Sequence, residues 1–135
     1  MAEAIARNGC VTGGVRVLLR AEGLALLAAA AWLYGHAGFD WALFAILFLA
    51  PDLSFLGYLA GPRAGALAYN AAHSTNGALG LGVASLAVNQ PLAMAAALIW
   101  LAHIGFDRAL GYGLKYGAGF GVTHLGGIGR KAKEG

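Results

Sequence analysis

Charge is what this chain has least of. Nine basic and six acidic side chains make it 11% charged over 135 residues, where a soluble domain carries about 25%. Apolar residues reach 59%, against a usual figure of about 45–50% that already counts glycine. So few ionic groups cannot coat a water-facing surface, which excludes an ordinary soluble domain and leaves a membrane protein. Cysteine occurs once, at Cys10, which excludes an intrachain disulfide and any cysteine-based metal site. The net charge of +3 needs no nucleic acid; it suits a face lying on anionic lipid.

What is there is a set of long apolar runs. A helix needs about 20 mainly apolar residues to cross the hydrocarbon, and the breaks divide the chain into four such spans. They run at about 20–38, 41–60, 63–88 and 91–111. The predicted fold is therefore all-α, an integral membrane bundle of four transmembrane helices forming one domain over residues 1–135. The start resembles a signal peptide, with Arg7, Arg16 and Arg20 before "LALLAAAAWLYG". Because apolar runs continue to the far end, it reads as a retained anchor. The Gly-rich tail after Lys115 reads as mobile, with His124 simply solvated.

Four spans put every basic residue on the side that holds both termini and the Gly61–Arg63 turn. The opposite turns, Gly35–Asp40 and Asn89–Pro91, hold none. The positive-inside bias places both termini in the cytoplasm. Arg20, Arg63, Arg108 and Lys115 then form a basic rim reaching for lipid phosphates. Along the third span, Ala66, Asn70, His73, Gly77, Gly80 and Ala84 make one stripe of mostly small residues, the expected packing face.

Ionisable groups inside a membrane are costly and therefore candidates for function. Counting about 1.5 Å per residue from the span ends, Asp52, His73 and His103 share one level in the cytoplasmic half, with Asp107 and Glu22 nearer the mouth. His103 and Asp107 are four apart, on one helix face. Pro51 removes a backbone donor beside Asp52 and frees a carbonyl that Ser54 or water can satisfy. Two imidazoles with two or three carboxylates suit Zn, Fe or Mn. Asp52, His73, His103 and Asp107 are the expected metal ligands, and Glu22, Asp107 and Arg108 the expected catalytic groups.

Three readings follow. A divalent metal there can activate water against a lipid-like substrate, making a metal-dependent membrane enzyme. The histidines can instead carry protons in a small transporter or proton-coupled channel, oligomeric because four short helices enclose little room. Or Asn, His, Asp and Ser only join helices by hydrogen bonds. The expected partners are membrane lipids and, for the transport reading, further copies of the chain.

The stretches "RAEG" at 20–23, "LAPDLSFLGYLAGPRAGALAYNAAHS" at 49–74 and "LAHIGFDRALGYGLKY" at 101–116 resemble a family of small bacterial membrane proteins catalogued as domain of unknown function 4260. The likeness runs from about Val15 to Gly129 and matches at Glu22, Asp52, Asn70, His73, His103, Asp107 and Arg108. It implies a four-span integral membrane protein and implies no activity.

Overall fold

The computed structural model describes residues 10–116 and 121–127. Helix α1 spans Gly13–His36 and α2 spans Trp41–Leu47. A 3-10 helix follows over Ala50–Ala60, then α3 over Pro62–His73, α4 over Thr75–Ala87 and α5 over Pro91–Leu110. The chain closes with a minimal antiparallel hairpin, β1 Val122–Thr123 on β2 Gly126–Gly127. Apart from that hairpin the described fold is all-α. Among the described residues, three helical stretches are long and apolar enough to cross a membrane: Gly13–His36, Trp41–Ala60 and Pro91–Leu110.

The expected third span is the one not among them, because it is broken. Ser74 leaves the helical region (φ −84°, ψ 149°) and divides 62–87 into helices of 12 and 13 residues. The cause is local: "STNG" at 74–77 is built of residues whose side chains compete for backbone hydrogen bonds and favour caps over helix interiors. The break also shifts the packing face. Ala66 and His73 are buried as expected, but beyond Ser74 the buried residues are Ala78 and Ser85, while Gly80 faces open space and Ala84 is exposed. The small-residue stripe thus holds through Gly77, which packs against the Trp100 ring, and fails at Gly80 and Ala84.

The backbone groups freed at the break are met from α5. Trp100 Nε1 donates to the Ala72 carbonyl at 2.5 Å and Arg108 Nη2 to the His73 carbonyl at 3.0 Å. These are among the last carbonyls of α3, which lack helical donors, and in a membrane no bulk water would replace those two side chains.

Span two is interrupted as Pro51 predicts, but as a 3-10 helix of 11 residues rather than a loosened α-helix. Such runs rarely exceed 3–4 residues. With three residues per turn, Asp52, Phe55 and Tyr58 fall in one row. Asp52 reaches His73, the Phe55 ring lies 5.3 Å from that of Tyr69, and Tyr58 covers Gly65. Leu53, Leu56 and Leu59 form an outer, exposed row. Gly61 makes the turn into α3 at φ +114°, a conformation suited to glycine.

Helices α1 and α5 pack antiparallel through Gly23 and Gly105. A Cβ on Gly105 would lie 2.6 Å from the Gly23 carbonyl oxygen, so only hydrogen fits. At one end of this pair Tyr34, Ala95, Leu98 and Ile99 form a core with Phe39, Phe44 and Phe48. There Asp40 caps α2 by accepting from Ala42 N at 2.8 Å, and His36 stacks on Trp32. At the other end the basic rim turns inward: Arg20 Nε donates to the Ala109 carbonyl at 2.9 Å. We expect Gly105→Leu to cost about 1–3 kcal/mol through overpacking, read as a lower melting temperature in detergent; an unchanged midpoint would refute the close approach.

Candidate metal centre

Three elements bring four side chains to one point. Asp52 comes from the first turn of the 3-10 helix, His73 from the last residue of α3, and His103 and Asp107 from one face of α5. His73 Nε2 and His103 Nε2 stand 3.1 Å apart. Asp52 Oδ1 is 3.3 Å from His73 Nε2 and 3.2 Å from His103 Nε2. Asp107 Oδ2 is 3.3 Å from both. One ligand atom from each residue lies within 4.8 Å of all the others. Tetrahedral ligands at Zn–N and Zn–O lengths of about 2.0–2.1 Å are separated by roughly 3.3 Å, which five of these six separations match.

Proton counting sharpens the point. A carbonyl only accepts, so His73 Nδ1, 2.9 Å from the Tyr69 carbonyl, carries the hydrogen and leaves a lone pair on Nε2. A carboxylate, when ionised, likewise presents only lone pairs. Three acceptors therefore surround His103 Nε2, which in either neutral tautomer offers at most one N–H and can satisfy at most one of them. A divalent cation satisfies all four ligand atoms together, and the Nδ1–H to carbonyl bond on His73 is how metal-ligating histidines are usually oriented. His103 Nδ1 is buried without a hydrogen bond among the described residues, although the Phe48 carbonyl is near enough to act on it. That carbonyl is released from α-helical pairing because Asp52 N–H is directed to Leu49 at 3.0 Å.

The centre is closed on three sides. Side-chain exposure is 3% for His73, 1% for His103 and 13% for Asp107, but 35% for Asp52. Around Asp52 the exposed neighbours are Leu49 and Leu53, so the opening faces an apolar exterior. The Tyr69 ring stacks on His73 with centroids 3.8 Å apart and carries the Lys115 ammonium 4.8 Å from its centroid.

Of the expected site residues, Asp52, His73, His103 and Asp107 meet. Glu22 does not join them: it lines a separate cavity between α1, α5 and the C-terminal hairpin. Arg108 holds the His73 carbonyl and lies 3.3 Å from His124 Nε2, so it fixes a ligand's backbone from behind. Ser54 Oγ is buried without a hydrogen bond among the described residues rather than satisfying a freed carbonyl. Lys115, expected on a rim reaching for lipid phosphates, is buried instead, and its backbone exchanges two hydrogen bonds of 2.7 Å with the Asn70 side chain. Burial pushes the Lys115 ammonium down to about 8, against the pull of Asp107.

The expected mobile tail is folded where it is described. Residues 117–120 and 128–135 lie outside the described residues, but His124 accepts from Leu114 N–H on Nδ1 at 2.9 Å. Its carbonyl takes Val11 N–H at 2.9 Å, and Cys10 Sγ donates to Thr123. The start of α1 and the C-terminal hairpin thus meet at one end.

Fold and site together define a helical protein with helices long and apolar enough to span a membrane and a His/Asp cluster that could hold a metal ion. The chain belongs to the family described as Domain of unknown function (DUF4260), which matches residues 16–128. No curated protein and no solved structure matches it.

Burial, then the Arg108 charge, hold His124 below its ordinary value of 6.5. The folded ring therefore resists protonation, and stability declines as pH falls through that ordinary value, because the unfolded ring takes its proton first. Amide-exchange protection of Leu114 should be constant above neutral pH and drop below about pH 6; protection that stays flat to pH 4.5 would contradict the Nδ1 acceptor.

Proposed function

We propose that this is a four-span bacterial inner-membrane protein with both termini in the cytoplasm, and that it is a metal-dependent enzyme acting on a lipid-like substrate. The observation that carries the reading is the convergence of four ligand atoms on one point with a single proton to share. The adjacency of Cys10–Val11 to the Thr123–His124 turn supports an even number of crossings. Helices α3 and α4 together make the remaining crossing, and their break sits where a ligand is needed.

His73, His103, Asp52 and Asp107 would hold one divalent cation, with Zn, Fe and Mn all compatible with nitrogen and oxygen donors. Such a cation supplies Lewis acidity and lowers the pKa of water near neutrality. His73 is held in one tautomer by the Tyr69 carbonyl, and His103 is packed edge-on against Phe48 at 5.3 Å. Asp52, the least enclosed ligand, borders the route by which substrate arrives from the lipid side. Lys115 presents a cation beside Tyr69, suited to an anionic group of the substrate.

Purified wild type should carry about one equivalent of metal by mass spectrometry, and His73→Ala/His103→Ala should carry none. Wild type that stays metal-free after reconstitution would end this reading. Hydrolysis of an ester or phosphoester in short-chain phospholipid micelles should accompany the metal and vanish in Asp52→Asn.

A second reading has its own support. Two interrupted helices meeting at ionisable groups is a pattern of membrane transport sites. It predicts cation or proton flux in liposomes, lost in His73→Ala, with no turnover of lipid; turnover without flux favours the enzyme.

A further inference from the structure

The cavity that takes Glu22 is distinct from the His/Asp centre: none of the four cluster residues lines it. It is a half-open cleft of about 250 Å³, with a polar lining of Arg108, His124, Thr75 and, at its exposed edge, Glu22. Leu19, Leu26, Ile104, Leu114 and Leu125 supply apolar wall. A carboxylate and a guanidinium thus share one small space, yet Glu22 forms no ion pair among the described residues.

Glu22 also sits at a particular height. Arg16 and Arg20 occupy the turns before it, and the uninterrupted apolar run of α1 begins at Gly23. That is the level at which lipid head groups give way to acyl chains. Arg108 has five N–H groups; its Nη2 serves the His73 carbonyl and its Nη1 faces His124, which leaves donors for an anion. Glu22 can only accept while ionised, so it calls for a cation with N–H groups. The leucines call for hydrocarbon.

We propose that this cavity binds the zwitterionic head of an aminophospholipid, the ammonium on Glu22 and the phosphate on Arg108, with the first carbons of an acyl chain along Leu19, Leu26 and Leu114. A purely anionic head would meet Arg108 but be repelled by Glu22. Selectivity for the zwitterion is therefore built into the pair rather than into either residue. This site stands independently of the metal reading.

The test is native mass spectrometry of delipidated protein titrated with dioleoyl phosphatidylethanolamine or dioleoyl phosphatidylglycerol. Wild type should retain the ethanolamine lipid about fivefold better, the scale of one partly exposed ion pair. Glu22→Gln should reverse the order toward phosphatidylglycerol while metal content stays as in wild type. Leu26→Trp, which fills the cavity, should weaken retention of both lipids. Wild-type preference for phosphatidylglycerol, equal retention of the two, or an order unchanged in Glu22→Gln would overturn the proposal. Free phosphoethanolamine that displaces the lipid at equal concentration would assign the site to a soluble zwitterion; failure to displace assigns it to the lipid.

Discussion

Everything in this fold depends on where backbone carbonyls find donors when water is scarce. A helix break inside an apolar region leaves carbonyls that cost several kcal/mol each if unmet. The chain breaks two spans, and at Ser74 it meets the freed groups with side chains of α5. Trp100 serves Ala72 and Arg108 serves His73. The same helix carries His103 and Asp107 one turn apart. The repair of the break and the assembly of the ligand set are therefore one construction, and α5 is its template.

That coupling explains the burial pattern. Half of the apolar window of α5 is enclosed, compared with 17% for α1 and none for the second span. The outer helices present leucine and valine outward because their contacts are with a single neighbour. The inner helix is flanked by small residues so that others can approach it. Gly23 and Gly105 allow α1 to come close, and Gly77 makes room for the Trp100 ring whose nitrogen is needed at the break.

Much of this was legible in the sequence, because it follows from length and period. The apolar runs read at about 20–38, 41–60 and 91–111 fall on the helical stretches Gly13–His36, Trp41–Ala60 and Pro91–Leu110. Asp52, His73 and His103 could be set at one depth by counting along spans from their ends. Asp107 was placed nearer the mouth, yet the i, i+4 relation to His103 was enough to bring its carboxylate to the same point. The break at Ser74 was not read, although "STNG" carries the chemistry for it, because a periodic stripe of small residues ran through it. Phase continuity is a weak guide where capping residues interrupt. Glu22 shares the cytoplasmic half with the cluster, but depth does not say on which side of α5 a residue falls. Lys115 and His124 escaped for a different reason: their burial comes from a hairpin folding back on the helices, a long-range event with no periodic signature.

The 3-10 helix has a consequence that concerns length. At a rise of about 2.0 Å per residue rather than 1.5 Å, its 11 residues reach roughly 5 Å further than the same stretch would as an α-helix. A return to α geometry would shorten the second crossing and turn the Asp52 row away from His73. Bilayers differ in thickness by a few Å, and helices adjust to them at modest cost. In a bilayer, the distance between Asp52 and the two imidazoles would thereby be tied to the thickness of the surrounding lipid.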